Sequence, residues 1–166
     1  MTETVILDHK QIEQKINRLA YQIFENNYEE TEIIMAGITG NGFAFAEKIA
    51  KKLSEISPIK IKLCTISLNK SNPLSHAVSC DIETHEIHNK AVIVVDDVLD
   101  SGKTLIYGVR YFLDFPVKRL RTLILVDRSH MIYPIKADYV GLSLATTIQE
   151  HIRVYFAANN DKVILL

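Results

Sequence analysis

Apolar residues recur along this chain in two alternating rhythms. Over residues 8–27, Ile12, Ile16, Leu19, Ile23 and Phe24 fall at helical spacing, and Asp8 is placed to cap the first turn. Asn26-Asn27-Tyr28 mark the end of that helix. Glu32–Ile38 then reads as a strand buried on both faces. A glycine-rich loop, Gly37–Gly42, leads back to helical spacing over Phe43–Leu53, which Ser57-Pro58 breaks. Ile59–Leu68 alternates as a strand. Residues 69–89 are polar and weakly periodic. Val92–Val95 is another buried run, after which Leu105, Val109, Phe112 and Leu113 restore helical spacing. Pro116 marks the next break and Leu120–Val126 the next buried strand. Tyr139–Leu142, Ile152–Ala157 and Val163–Leu166 are shorter strand candidates. Strands that alternate with helices predict an α/β fold with a mostly parallel sheet flanked by helices.

Composition narrows this picture without changing it. A chain of 166 residues with 48% hydrophobic content suits a single globular domain, 1–166, with a sizeable core. No apolar run approaches the roughly 20 residues that span a bilayer. Residues 1–10 contain acids and no apolar segment, so no secretory signal is expected. Cys64 and Cys80 make no disulfide framework, and a reducing cytoplasm is the expected setting. A net charge of −1 argues against general nucleic-acid binding. The basic cluster Lys118, Arg119 and Arg121 reads as a solvated connection into a strand. Cys80, His85 and His88 match no standard zinc spacing and read as solvated loop residues.

The chemistry concentrates at the end of the Val92–Val95 run. Asp96 and Asp97 stand at the carboxyl end of a buried strand, where open α/β sheets bind ligands. Carboxylates accept hydrogen bonds from vicinal sugar hydroxyls, directly or through a metal ion. Neighbouring strand residues point to opposite faces. A turn or twist is therefore needed before both acids can face one ligand. Asp100-Ser101-Gly102-Lys103-Thr104 follows and opens a helix, whose unpaired N–H groups favour phosphate. Ser101 and Thr104 add hydroxyls, and Gly102 frees the backbone. A sugar-binding device beside a phosphate-binding device points to a ribose-phosphate ligand.

Val94-Val95-Asp96-Asp97-Val98-Leu99-Asp100-Ser101-Gly102-Lys103-Thr104 resembles the phosphoribosyl-pyrophosphate signature of type I phosphoribosyltransferases. That resemblance implies that Asp96 and Asp97 hold the ribose hydroxyls, with magnesium carried mainly by the donor and these two acids. It implies that residues 100–104, Lys103 included, wrap the 5′-phosphate. Gly37–Gly42 lies where the family has its pyrophosphate loop, which implies contacts from Thr39, Gly40 and Asn41. Relatives often carry Lys or Arg in that loop, and this chain has none. Residues 69–89 fall where the family has a flexible loop that closes over the site, and Lys70 stands near the position of a family arginine. The C-terminal segment is expected to form a small hood.

Most of the chain resembles the pyrimidine-operon regulator and uracil phosphoribosyltransferase group. The Asp127-Arg128 pair and Ala137–Gly141 are the most distinctive matches. The resemblance implies that Asp127, Arg128, Tyr139 and Val140 serve the base. Asp100 differs: that group usually has Tyr there, whereas hypoxanthine-guanine phosphoribosyltransferases have an aspartate that acts on the purine as acid or base. Asp97 and Asp100 are thus the expected catalytic residues, and the acceptor is uracil or a 6-oxopurine. The expected activity is transfer of phosphoribose to a nucleobase by a homo-oligomer. The second reading is a nucleotide-sensing, RNA-binding regulator with weak or no activity.

Overall fold

A computed structural model describes residues 3–166 of the chain. Its elements in order are β1 (Thr4–Leu7), α1 (His9–Asn27), β2 (Glu32–Ile38), α2 (Asn41–Ile56), β3 (Lys60–Ser67), β4 (Ser79–Cys80), α3 (Thr84–Ile87), β5 (Ala91–Leu99), α4 (Lys103–Leu113), β6 (Arg119–Asp127), β7 (Tyr139–Ser143), β8 (Ile152–Tyr155) and β9 (Lys162–Leu165). Six strands form one sheet in the order β4-β3-β2-β5-β6-β7. Every pairing in it is parallel except β3 with β4. A second, antiparallel sheet has the order β1-β9-β8.

The helix starts and buried strands follow from local chemistry. Asp8 accepts from the Gln11 backbone N–H while the Gln11 side chain accepts from the Asp8 N–H, a reciprocal cap that begins α1. β2 is buried from Ile33 onward because helices cover both its faces. Ile33 and Met35 pack in one cluster with Ile12 and Leu19 of α1 and Phe45 and Ile49 of α2. Ile34, Ala36 and Ile38 pack in the other with Leu105 and Phe112 of α4. The continuous apolar run is two interleaved period-two patterns, each facing its own core.

Strand order places the crevice. β2 leads through α2 to β3 on one side, while β5 lies against the other side of β2. α2 packs on the first cluster and α4 on the second, so the segments leaving β2 and β5 diverge to opposite faces. Such a reversal leaves an open crevice outside the carboxyl ends of the two strands.

Four features depart from the expected elements. Residues 4–7 show no rhythm in sequence, yet form β1 because β9 offers them an edge, with Thr4 opposite Leu165 and Val5 opposite Ile164. The small sheet therefore draws on both chain ends and not on the C-terminal segment alone. Residues 69–89 contain β4 and α3, each too short for periodicity to register. β5 runs through both acids to Leu99 because β6 continues to pair with it, Leu99 opposite Asp127. α4 begins at Lys103, since Gly102 sits at φ 83°, outside helical geometry.

The first turn of α2 lies directly on the sheet. A Cβ on Gly37 would stand 2.4 Å from the Cα of Phe43, and one on Gly42 would stand 2.9 Å from the Val95 carbonyl oxygen. Backbone cannot yield as a side-chain tip can. Gly37→Ala is therefore expected to lower stability by roughly 1–3 kcal/mol, read as a lower urea midpoint at unchanged slope. A midpoint equal to wild type would show that this contact is not the constraint.

Candidate active site

Asp96 and Asp97 lie in the crevice between β2 and β5. Strict alternation along β5 would place Val98 with Val94. Instead Val94 and Leu99 belong to one core cluster, while Val95 and Val98 face the other. The alternation slips by one residue across the two acids, which supplies the twist that adjacent carboxylates need to share a site. Asp96 is buried, and its Oδ1 accepts from the Asp97 N–H at 3.0 Å and from Lys70 Nζ at 3.2 Å. Asp97 is half-buried, and its Oδ2 accepts from Asn41 Nδ2 at 3.1 Å. The same Asn41 amide donates to the Val154 carbonyl of β8 at 2.9 Å. One side chain therefore ties the glycine loop, the acid pair and the small sheet together.

Burial, helped by the neighbouring Asp97 charge, pushes the Asp96 carboxyl up to about 7, while Lys70 pulls it down. Lys70 comes from the 69–89 insert. Asn69 Oδ1 accepts from the Ser71 and Asn72 N–H groups, making a tight polar turn. Lys103 Nζ donates to the Ser71 carbonyl at 3.3 Å. The start of the insert thus rests on both the acid pair and the start of α4.

Around Gly102 the chain is held by packing as much as it is left open. The Ser101 carbonyl accepts from the N–H groups of Ile132 and Tyr133, at 2.8 and 3.0 Å. A Cβ on Gly102 would meet Ile135 Cγ2 at 2.8 Å. Gly102 is required by its positive φ and by this contact. Ser101 Oγ accepts from the Lys103 N–H at 3.2 Å, and the next N–H groups, of Thr104 and Leu105, have no acceptor within a helix start. Across the crevice Thr39 and Gly40 are exposed, Gly40 at φ 86°. The Thr39 N–H donates to the Ile66 carbonyl at 2.9 Å and is not free for an anion.

Asp100 and Arg128 meet just beyond the carboxyl ends of β5 and β6. Arg128 Nη1 lies 3.0 Å from Asp100 Oδ2; the arginine side chain is 4% exposed and the aspartate 55%. Its remaining donors reach the Thr146 hydroxyl at 3.0 Å, the Thr147 carbonyl at 3.3 Å and the Glu150 carbonyl. A single guanidinium therefore fastens the irregular segment 144–151 over Asp100. Asp127 does not pair with its neighbour; its Oδ1 accepts from the Ser129 N–H at 2.7 Å and holds Ser129 at φ 59°. Asp100, Ser101 and Arg128 line a cavity of about 640 Å³ with His130, Ile132 and Ile148. Ile132 and Ile148 are 81% and 87% exposed. Two bare isoleucines beside a charged pair suit a flat ligand with a polar edge.

Tyr139 and Val140 need correcting as base-facing residues. Tyr139 begins β7 opposite Leu123, four residues before Ser143 opposite Asp127, so it sits toward the wrong end of the sheet. It is buried in the core, and its hydroxyl accepts from Asn26 of α1. The Val140 carbonyl accepts from Arg18 of α1. Ile132 and Ile148 line the cavity instead, beside Asp100 and Arg128, two other residues expected at the base. Nothing periodic marks those isoleucines; the only sequence signal was apolar residues within polar loops.

The phosphoribosyl transferase domain family matches residues 3–158 of this chain. The bifunctional protein PyrR of Haemophilus ducreyi is 34% identical over 162 residues, 92% of this chain and 89% of that protein. The bifunctional protein PyrR of Macrococcus caseolyticus is 31% identical over 98% of this chain and 97% of its own. Among solved structures, a hypoxanthine-guanine phosphoribosyltransferase of Bacillus anthracis superposes with a TM-score of 0.73 at 26% identity, covering 90% of this chain and 86% of that one. The hypoxanthine phosphoribosyltransferase of Trypanosoma cruzi shares the fold, with a TM-score of 0.78 at 16% identity over 96% of this chain and 95% of its own.

The raised Asp96 carboxyl carries a stability signature. The folded chain holds this proton up to about pH 7, whereas an unfolded carboxyl releases it near 3.8. Stability should therefore fall as pH rises from about 4 to 7, then level off. Asp96→Asn is expected to raise the urea midpoint at pH 8, with the gain vanishing toward pH 4. A gain that does not change with pH would contradict the assignment to this carboxyl.

Proposed function

The chain belongs to the phosphoribosyl transferase domain family, and from that premise we propose that it transfers phosphoribose from phosphoribosyl pyrophosphate to a ring nitrogen of a nucleobase. One observation carries this reading: the acid pair at the carboxyl end of β5, the turn that opens α4 and the cavity lined by Asp100, Ser101 and Arg128 adjoin one another along residues 96–104. A ribose held by the acids would direct its 5′-phosphate on C5′ to the α4 start and the base on C1′ to the cavity. In the reaction the C1′–O bond breaks and its electron pair leaves with pyrophosphate. The base nitrogen forms the new bond to C1′ and gives its proton to Asp100 or to water.

Asp97 and Asp96 are the residues to receive the ribose hydroxyls, and Thr104, Ser101 and the α4 N–H groups the 5′-phosphate. Asp97, half-buried, fits one side of a magnesium ion that also rests on donor phosphates. Bound magnesium would neutralise charge on the departing pyrophosphate. Asp96 contributes less to such an ion while Lys70 is paired with it. The start of the 69–89 insert, already against Asp96 and Lys103, is placed to exclude water from a reactive ribosyl centre. Arg128 orients Asp100 toward the base. An aspartate here, with Ile132 and Ile148 on the cavity walls, accepts a ring N–H from uracil or from a 6-oxopurine.

The name of the PyrR relatives, bifunctional, favours one second reading, a nucleotide-sensing RNA-binding regulator. The basic cluster does not strengthen it. Lys118 and Arg119 pair with Glu30, and Arg121 pairs with Asp138.

Purified protein with magnesium and phosphoribosyl pyrophosphate is expected to form nucleotide from uracil, hypoxanthine, guanine or xanthine, tested as a panel. Absence of nucleotide from every base would sink the enzymatic reading. Asp97→Asn should lower turnover at least tenfold, about 1.4 kcal/mol. Arg128→Lys keeps the charge but loses the planar fork that serves four partners. It should lower kcat and raise KM for the base while leaving KM for the donor unchanged; an equal rise for both substrates would place Arg128 outside the base site.

A further inference from the structure

Away from the crevice, β3 and the insert after it bring Cys64, Cys80 and Asp81 together. The two thiol sulfurs and a carboxylate oxygen all lie within 4.8 Å of one another. Cys64 is buried, Cys80 half-buried and Asp81 exposed, so the trio is closed toward the core and open toward solvent. The Thr65 N–H donates to Asp81 Oδ1 and the Asp81 N–H donates to the Thr65 carbonyl. These bonds fix the carboxylate and leave its second oxygen available, the kind of outer support that metal ligands receive.

Register separates the two chemistries open to this thiol pair. Ile66 stands opposite Cys80 across β3 and β4, so Cys64 is diagonal to Cys80 by two residues. Diagonal positions lie roughly 7–8 Å apart, beyond the usual Cα separation of a disulfide, about 4.4–6.8 Å. An ion at about 2.3 Å from each sulfur spans more than a direct bond does. A third donor converges as well, for which a disulfide has no use.

We propose that Cys64, Cys80 and Asp81 form a binding site for a soft divalent cation of the zinc type, with its fourth position open to water. Binding replaces two thiol protons, which go to solvent, by two metal–sulfur bonds; no electrons are transferred. The bound ion would pin β4 to β3 and so anchor the far end of the insert whose near end carries Lys70. The site shares no residue with the crevice.

Cobalt(II), a coloured substitute for zinc, tests this on the reduced full-length chain. One equivalent should produce a thiolate-to-cobalt charge-transfer band that zinc abolishes, and zinc should slow the reaction of Cys80, the half-buried thiol, with a thiol reagent. Cys80→Ser should remove the band while the thermal melt of the metal-free protein is kept. Asp81→Asn, which removes a direct ligand, should weaken binding by at least about tenfold, the lower end of the loss on disturbing even an outer support. His85→Ala with His88→Ala should change nothing. The proposal is overturned by the absence of a band, by a band that survives Cys80→Ser or depends on the histidines, or by air oxidation of the untreated protein to a Cys64–Cys80 disulfide. Should Cys80→Ser unfold the chain, the reactivity of Cys80 in wild type decides: protection that appears only with zinc supports the site, and equal reactivity with and without zinc refutes it.

Discussion

β2 and β5 lie side by side and send their following helices to opposite faces of the sheet. The rest of the site depends on that divergence. The two connecting segments cannot cover the strand ends they leave, so backbone polar groups and acids there stay within reach of a ligand. Close packing fixes the width of the opening. Gly37 and Gly42 let the first turn of α2 sit on β2 and β5 without an intervening side chain. The helix start is therefore held at the crevice by sterics, before any ligand is present.

Burial at the end of β5 exacts a cost in charge. Asp96 is taken out of water beside a second carboxylate, and burial drives its proton affinity up to about 7. Lys70 and the Asp97 N–H offset part of this, and Asn41 occupies the facing oxygen of Asp97. A chain selected for stability alone would place an apolar residue at the end of a buried strand. Polar groups retained against that gradient are the expected mark of a functional site.

Arg128 does for the other end of the crevice what the glycines do for the middle. Its guanidinium has five donors in a rigid fork, and it uses them on Asp100 and on three acceptors from Thr146 to Glu150. A segment without regular structure is thereby given a defined position over the cavity. Lysine, a point charge on a flexible stem, could pair with Asp100 but could not also order that segment.

Much of this was legible in the sequence. Helical spacing and the Asp8 cap placed α1, and continuous apolar runs placed β2, β5 and β6, because local periodicity reflects which faces are covered. The acid pair and the turn after it were readable for the same reason: they are consecutive residues at one strand end. The cavity beside it was legible only in part, through Asp100 and Arg128, and Tyr139 shows why. Its type suited stacking, but its place at the start of β7 buried it against α1. Ile132, Ile148, Arg128 and Asp100 come together from separate segments, and so do Cys64 of β3, Cys80 of β4 and Asp81 just after it. β1 exists only because β9 lies beside it. Short-range patterning thus determined the elements and the donor signature. Contacts between residues distant in sequence, which no local rhythm encodes, were decided only when the sheet order brought their strands and loops together.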